Sequence, residues 1–136
     1  MKNWLAALWL CVLPFLFSCQ KDTEDKVYGK WLLEKIVEPD GRVEPVDTVW
    51  YNFQTTLFMY QIYVPATGGY RNSYGLATFE GDERVTIELQ NNPQMVDLFL
   101  PYTDWTSGTR TFTVAKVKGK DLVLESDGKQ YIFRKF

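Results

Sequence analysis

The 136-residue chain contains no histidine. That absence excludes the Ser-His-Asp and Cys-His nucleophile systems, histidine-ligated metals and the usual proton shuttle near neutral pH. Cysteine is scarce: Cys11 and Cys19 are the only two, both near the amino terminus, so the rest of the chain has no thiol for a disulfide, a metal or catalysis. No sign of charge dominates, with 15 basic against 17 acidic residues, and no segment is rich enough in Lys or Arg to follow a phosphate backbone. Nucleic acid is therefore not an expected partner. Long apolar runs are missing too: residues 4–16 form a charge-free run of 13, too short to span a bilayer as a helix and interrupted by Pro14. What is abundant is apolar and aromatic side chain, 46% and 16% of the chain, enough at this length for one core and not for two.

Lys2 followed by the apolar run 4–16 has the pattern of a secretory signal. Leu16-Phe17-Ser18-Cys19 then resembles the lipobox of bacterial lipoproteins, with small Ser18 before the cysteine. The resemblance implies cleavage before Cys19, a thioether to diacylglycerol and an acylated amine. Two or three acyl chains, at about 0.8 kcal/mol per buried CH2, anchor a protein without a transmembrane helix. Residues 20–26 are polar throughout and read as a tether. Their lysine and clustered acids resemble the export signal of Bacteroidota surface lipoproteins. The expected organisation is a signal peptide over 1–18, a tether over 19–26 carrying lipid on Cys19, and one folded domain over 27–136. The expected location is the outer membrane, at the cell surface or facing the periplasm.

Within 27–136, alternation of apolar and polar residues with β-branched and aromatic enrichment predicts eight strands: 30–37, 48–54, 57–64, 73–80, 84–90, 110–117, 121–125 and 130–135. The one helical candidate is 93–100, with Pro93 in a first turn and Pro101 as a stop. Inward positions by parity are Trp31 and Leu33, Val49, Tyr51 and Phe53, Ala77 and Phe79, Val85, Ile87 and Leu89, Phe112 and Val114, Leu122 and Leu124, and Tyr131 and Phe133. In strand 57–64 both faces are apolar, Phe58, Tyr60 and Ile62 against Leu57, Met59 and Tyr63, so parity alone does not choose. A second layer, a loop or a partner must cover one of them.

Loops at 38–47, 65–72 and 91–109 are long, and those at 55–56, 81–83 and 118–120 are tight. In a meander, alternate connections fall at opposite ends. The pattern therefore predicts an all-β, eight-stranded antiparallel up-and-down barrel with an open mouth and a sealed base, leaving no free edge.

Gly29-Lys30-Trp31 resembles the Gly-x-Trp signature of lipocalins, and Phe133-Arg134-Lys135-Phe136 is similar to the closing pattern of that family. The chain is most similar to short lipocalin-like lipoproteins of Bacteroidota. The resemblance implies that Trp31 plugs the base, that Gly29 allows a tight opening turn and that Arg134 crosses the indole as a cation-π partner.

The mature chain retains 18 aromatics, and Tyr63, Tyr70, Tyr74, Tyr102 and Trp105 fall in or beside the long loops. Rings there can stack on a sugar face or an apolar ligand while their polar tips stay wet. Alternatively Met95, Leu98, Phe99 and Trp105 fold down and fill the mouth. The acids Glu38, Asp40, Glu44, Asp47, Asp97 and Asp104 lie on the same loops, without a spacing that fixes a catalytic pair or a metal site. Asp47-Thr48-Val49 matches a three-residue O-glycosylation pattern of Bacteroidota, with Thr48 as acceptor. The expected function is a nonenzymatic, monomeric, lipid-anchored protein without cofactor, binding a small amphipathic or sugar-like ligand at an aromatic-lined mouth. The alternative is an envelope protein-interaction module or enzyme inhibitor with a self-filled barrel.

Overall fold

Alternating β-rich runs separated by glycine turns become nine strands: β1 (Gly29–Val37), β2 (Val43–Pro45), β3 (Val49–Gln54), β4 (Leu57–Val64), β5 (Gly69–Glu80), β6 (Arg84–Leu89), β7 (Thr109–Lys118), β8 (Asp121–Ser126) and β9 (Lys129–Lys135). The computed structural model describes residues 22–90 and 92–136; Cys11 and Cys19, with the expected signal, lie outside the described residues. From β3 to β9 each strand pairs antiparallel with the next, and β9 returns to β1 to close the sheet. β2 and β3 share the other edge of β1: Gly29 faces Phe53 near one end and Lys35 faces Pro45 near the other. The result is a closed eight-stranded antiparallel barrel, with β2 a short extension of its rim.

Trp31, Leu33, Tyr51, Phe53, Ala77, Val85, Ile87, Phe112, Leu122, Leu124, Tyr131 and Phe133 are buried inside, as their parity requires. A bulge between Leu33 and Lys35 shifts the parity of β1, so that Ile36 turns inward where strict alternation would have placed Lys35. In β4 the choice falls on Phe58, Tyr60 and Ile62, which are buried, while Leu57 stays exposed and Met59 and Tyr63 half-exposed on the outer face.

Besides β2, which lies within the loop expected over 38–47, one further connection and the N-terminal stretch depart from expectation. β5 begins at Gly69 because Gly69 pairs with Val64, Tyr70 with Tyr63 and Asn72 with Gln61, which reduces the loop expected over 65–72 to a turn over 65–68. Gly68 takes φ 69° there, a left-handed conformation that glycine adopts without strain. The polar stretch expected as a tether is, from Asp22, part of the folded unit. It forms α1 (Asp22–Val27), tied to the β5–β6 turn by Thr23 Oγ1 donating to Asp82 Oδ1 at 3.1 Å, with Thr23 and Val27 buried.

The long β6–β7 connection carries α2 (Pro93–Phe99), capped by the Asn92 side chain accepting from Met95 N at 2.9 Å. A single 3-10 turn, Leu100–Tyr102, follows. Val96 and Phe99 are buried, so the segment is a lid whose inner face joins the core.

Candidate functional site

The base is closed by Trp31, fully buried, whose indole Nε1 donates to the Val27 carbonyl at 2.8 Å. Lys135 Nζ stands 4.6 Å from the centroid of that ring and donates to the Tyr28 carbonyl. Gly29 opens the strand at φ 121°, a conformation that side chains rarely adopt, so this turn favours glycine; a Cβ there would also push the Lys135 ammonium aside. Arg134 does not take the role expected of it. Phe133 points inward, so period 2 sends Arg134 to the outer face opposite Leu32 and brings Lys135 beneath Trp31.

Aromatic rings pack across the interior. The Tyr51 ring has its centroid 4.8 Å from those of Tyr60 and Phe133, 5.3 Å from Phe58 and 6.1 Å from Phe112. Trp105 caps this stack, 5.4 Å from Tyr60, 5.9 Å from Phe112 and 6.3 Å from Tyr51. Its Nε1 donates to the Tyr51 hydroxyl at 3.0 Å, and Phe99 meets Tyr60 at 5.2 Å from the lid. Trp105, expected among the ligand-binding rings, is 5% exposed and serves as the plug.

A charged network seals one side of the mouth around Arg110, whose side chain is 8% exposed. Its Nε donates to Ser126 Oγ at 3.1 Å, and its two terminal nitrogens stand 3.5 Å from Asp104 and from Asp127. The guanidinium lies 5.0 Å from the Tyr131 ring centroid and 5.2 Å from that of Phe112. Tyr131 donates its hydroxyl to Asp104, and Lys129 bridges Asp104 at 3.5 Å and Glu38 at 3.6 Å. Burial, then the bond to Asp104, pushes the Tyr131 phenol well above its ordinary pKa. Burial, with the negative charge of Asp104 next, does the same to Tyr60; for Tyr51 burial comes first and the neighbouring Tyr60 second. For Arg110 burial opposes the charged form, but Tyr131 and Asp104 outweigh it and hold the pKa above its usual value.

Of the other expected ligand residues, Tyr63, Tyr70 and Tyr102 come together on the surface beside the lid, where Tyr70 and Arg71 line a pocket of about 290 Å³ with Met95, Leu98 and Phe99, and Tyr74 lies apart from them. Tyr70 is exposed and packs on Tyr63 at 5.2 Å and on Trp50 at 6.0 Å, outside the barrel wall. Tyr102 is exposed beneath the Arg71 guanidinium, 4.3 Å from its ring centroid. Thr48 lies at the mouth just before β3, half-buried, and its carbonyl accepts from Tyr63 N at 2.8 Å. Among the described residues no three acids converge to hold a metal. Asp97 is exposed on α2.

Tyr74 belongs to a groove of about 290 Å³ on the outer face of β3, β4 and β5, lined by Asn52, Gln54, Leu57, Met59, Tyr74 and Gly75. Leu57 is 57% and Tyr74 56% exposed, with Leu76 beside them at 40%. A Cβ on Gly75 would fall 2.3 Å from the Glu88 carbonyl oxygen, so glycine lets β5 and β6 meet there. Asn52 and Gln54 sit two residues apart on the same outer face. The doubly apolar β4 signalled this surface in the sequence, as a face that a second layer, a loop or a partner must cover, and Tyr74 was among the expected ligand residues; its groove shape was not legible there.

A closed antiparallel barrel with a tryptophan-sealed base and a lidded mouth is the architecture of the lipocalin class. The model of the lipocalin-like domain family matches residues 13–136, and the chain belongs to that family. It is similar to a lipocalin-like protein from Bacteroides uniformis, with 32% identity over 82% of this chain and 99% of that one, at a TM-score of 0.74. An uncharacterized protein from Bacteroides eggerthii is similar at 29% identity over 80% of this chain and 98% of that one, with a TM-score of 0.70. No functionally curated protein matches.

Proposed function

We propose that this chain is a nonenzymatic, monomeric binding protein of the cell envelope. In this reading lipid on Cys19 holds it to the outer membrane, and it takes a small amphipathic or sugar-like ligand on the outside of its barrel. The lipocalin-like fold supports small-ligand binding in general. The observation that carries the outer location is the contrast between an interior packed by Tyr51, Trp105 and their neighbours and an open groove of about 290 Å³ over Leu57, Met59 and Tyr74, whose lining is more apolar than that of the equally large pocket beside the lid at Tyr70 and Arg71. An aromatic face beside two side-chain amides suits a pyranose, whose CH face stacks while its hydroxyls take amide hydrogen bonds. A filled barrel equally fits the interaction-module alternative, in which a protein partner covers the same face.

The test is a titration of isotope-labelled protein with n-octyl glucoside below its micelle concentration and with neutral oligosaccharides, followed by NMR. Saturable shifts centred on Asn52, Gln54, Met59 and Tyr74, lost in Tyr74→Ala, are the expected result. Shifts confined to the lid, or none, overturn the outer-groove reading. Co-purification of an envelope protein that buries the groove would favour the interaction module.

A further inference from the structure

Resting on the lipid-anchor reading of Cys19, we propose that the base of the barrel around Tyr28, Lys30, Lys118, Lys120, Arg134 and Phe136 docks on the headgroup layer of an anionic bilayer, leaving the mouth to face away from the membrane.

The first ground is reach. Residues 20 and 21 are all that lie between Cys19 and the start of α1, so at about 3.5 Å per residue the lipidated sulfur stays within roughly 10 Å of that helix. α1 is not free to swing, because Thr23 is bonded to Asp82 and the Val27 carbonyl receives the Trp31 indole. A chain anchored at Cys19 therefore brings its base, and not its mouth, to the lipid.

The second ground is the chemistry of that surface. Phe136 is 72% exposed and Tyr28 53%, although both are fixed at the backbone: Phe136 N donates to the Lys30 carbonyl at 2.9 Å, and the Tyr28 carbonyl accepts from Lys135 Nζ. Lys135 N donates to the Lys120 carbonyl at 2.9 Å, which joins the β7–β8 turn to the same edge. Lys30 Nζ lies 5.0 Å from the Phe136 ring centroid and 5.5 Å from that of Trp50, on which Phe136 packs edge-on at 6.0 Å, so a cation and exposed apolar ring surface are presented together. Rings and long basic side chains of this kind partition to the bilayer interface, ring toward the acyl region and ammonium toward phosphate.

The third ground is charge. Around this edge Lys30, Lys116, Lys118, Lys120, Arg134 and Lys135 stand against Asp121, which pairs with Lys116 at 3.9 Å. The acids of the base, Glu24, Asp25, Asp82 and Glu83, gather in the neighbouring sector where Thr23 meets the β5–β6 turn. The mouth carries Glu38, Asp40, Glu44, Asp47, Asp97, Asp104 and Asp127, and although Arg42, Arg110 and Lys129 pair with four of them, acids stay in excess there, which an anionic surface disfavours. Each basic side chain held near such a surface strengthens association about fivefold.

The mature chain has no cysteine after residue 19, which allows a site-specific test. The full lipidated protein, with Lys118→Cys or Asp40→Cys, is reconstituted into vesicles of phosphatidylethanolamine and phosphatidylglycerol and labelled with a nitroxide. Collision with oxygen and with a water-soluble nickel chelate is then read by electron paramagnetic resonance. The expected result is a label at residue 118 shielded from nickel several-fold more than one at residue 40, with the shielding lost on adding Lys120→Glu and Arg134→Glu. Equal nickel access at the two positions overturns the docking surface while leaving the anchor in place. Shielding that survives the charge reversals overturns the electrostatic role of Lys120 and Arg134. If the unmutated chain itself takes up label, Cys19 is a free thiol, and the anchor reading falls together with this inference.

Discussion

Trp105 donates its indole N–H to the Tyr51 hydroxyl across 3.0 Å at the top of the barrel core. One residue from the longest loop and one from the centre of β3 are thereby fixed to each other. The bond satisfies two polar groups that burial would otherwise leave costly, so the loop is held as a plug rather than as a mobile flap.

Removal of that plug should be expensive. Trp105→Ala is expected to destabilise by about 3 to 5 kcal/mol in urea denaturation and to create binding of an apolar fluorescent probe such as anilinonaphthalene sulfonate. Trp105→Phe keeps most of the volume and removes the indole donor while the Tyr51 hydroxyl keeps its bond to Tyr60, for a loss of about 0.5 to 1.5 kcal/mol and no probe binding. A Trp105→Ala protein with unchanged stability would mean that the mouth is not closed this way.

At the base the order of three effects is the check. Trp31→Ala should cost about 3 to 5 kcal/mol and Lys135→Met about 0.5 to 2, because Lys135 lies under the indole. Arg134→Met, on the outer face, should stay within about 0.5 kcal/mol. Thermal or chemical denaturation of the three variants that reverses the last two would restore Arg134 as the closing residue.

Alkaline pH should unfold the protein through its tyrosines. Tyr51, Tyr60 and Tyr131 have folded-state pKa values raised above the unfolded value of about 10. Below that pH both states keep these protons, and the full stability is present. Above it the unfolded chain ionises first, so each such tyrosine removes about 1.4 kcal/mol per pH unit until its folded pKa is reached. Denaturation midpoints should therefore fall steeply beyond about pH 10, with phenolate absorbance of these three of the eight tyrosines rising only with unfolding. Tyr131→Phe should flatten the slope.

In the outer groove, function and stability should separate. Tyr74→Ala and Gln54→Ala are both exposed changes, expected to shift stability by no more than about 0.5 kcal/mol. Both should lower affinity for n-octyl glucoside in the NMR titration. An equal loss of binding in Tyr102→Ala would move the site to the lid.

Strand parity, turn residues and loop-length alternation are local properties, so the eight strands, most of the inward set and the sealed base could be read along the chain. Arg134 shows the limit of motif reading, since the parity that put Phe133 inside already placed Lys135, not Arg134, beneath Trp31. Three matters depended on contacts between distant residues. Register with β4 extended β5 back to Gly69, and pairing with β9 placed the β1 bulge that turns Ile36 inward. The fall of α2 and Trp105 into the mouth depended on space left by Tyr51, Tyr60 and Phe112, which no local pattern reports. The two apolar faces of β4 were evident from sequence; closure of the barrel decided which one is core, because only its concave side can exclude water from all neighbours at once. The other face, with Leu57, Met59 and Tyr63, was left to the solvent.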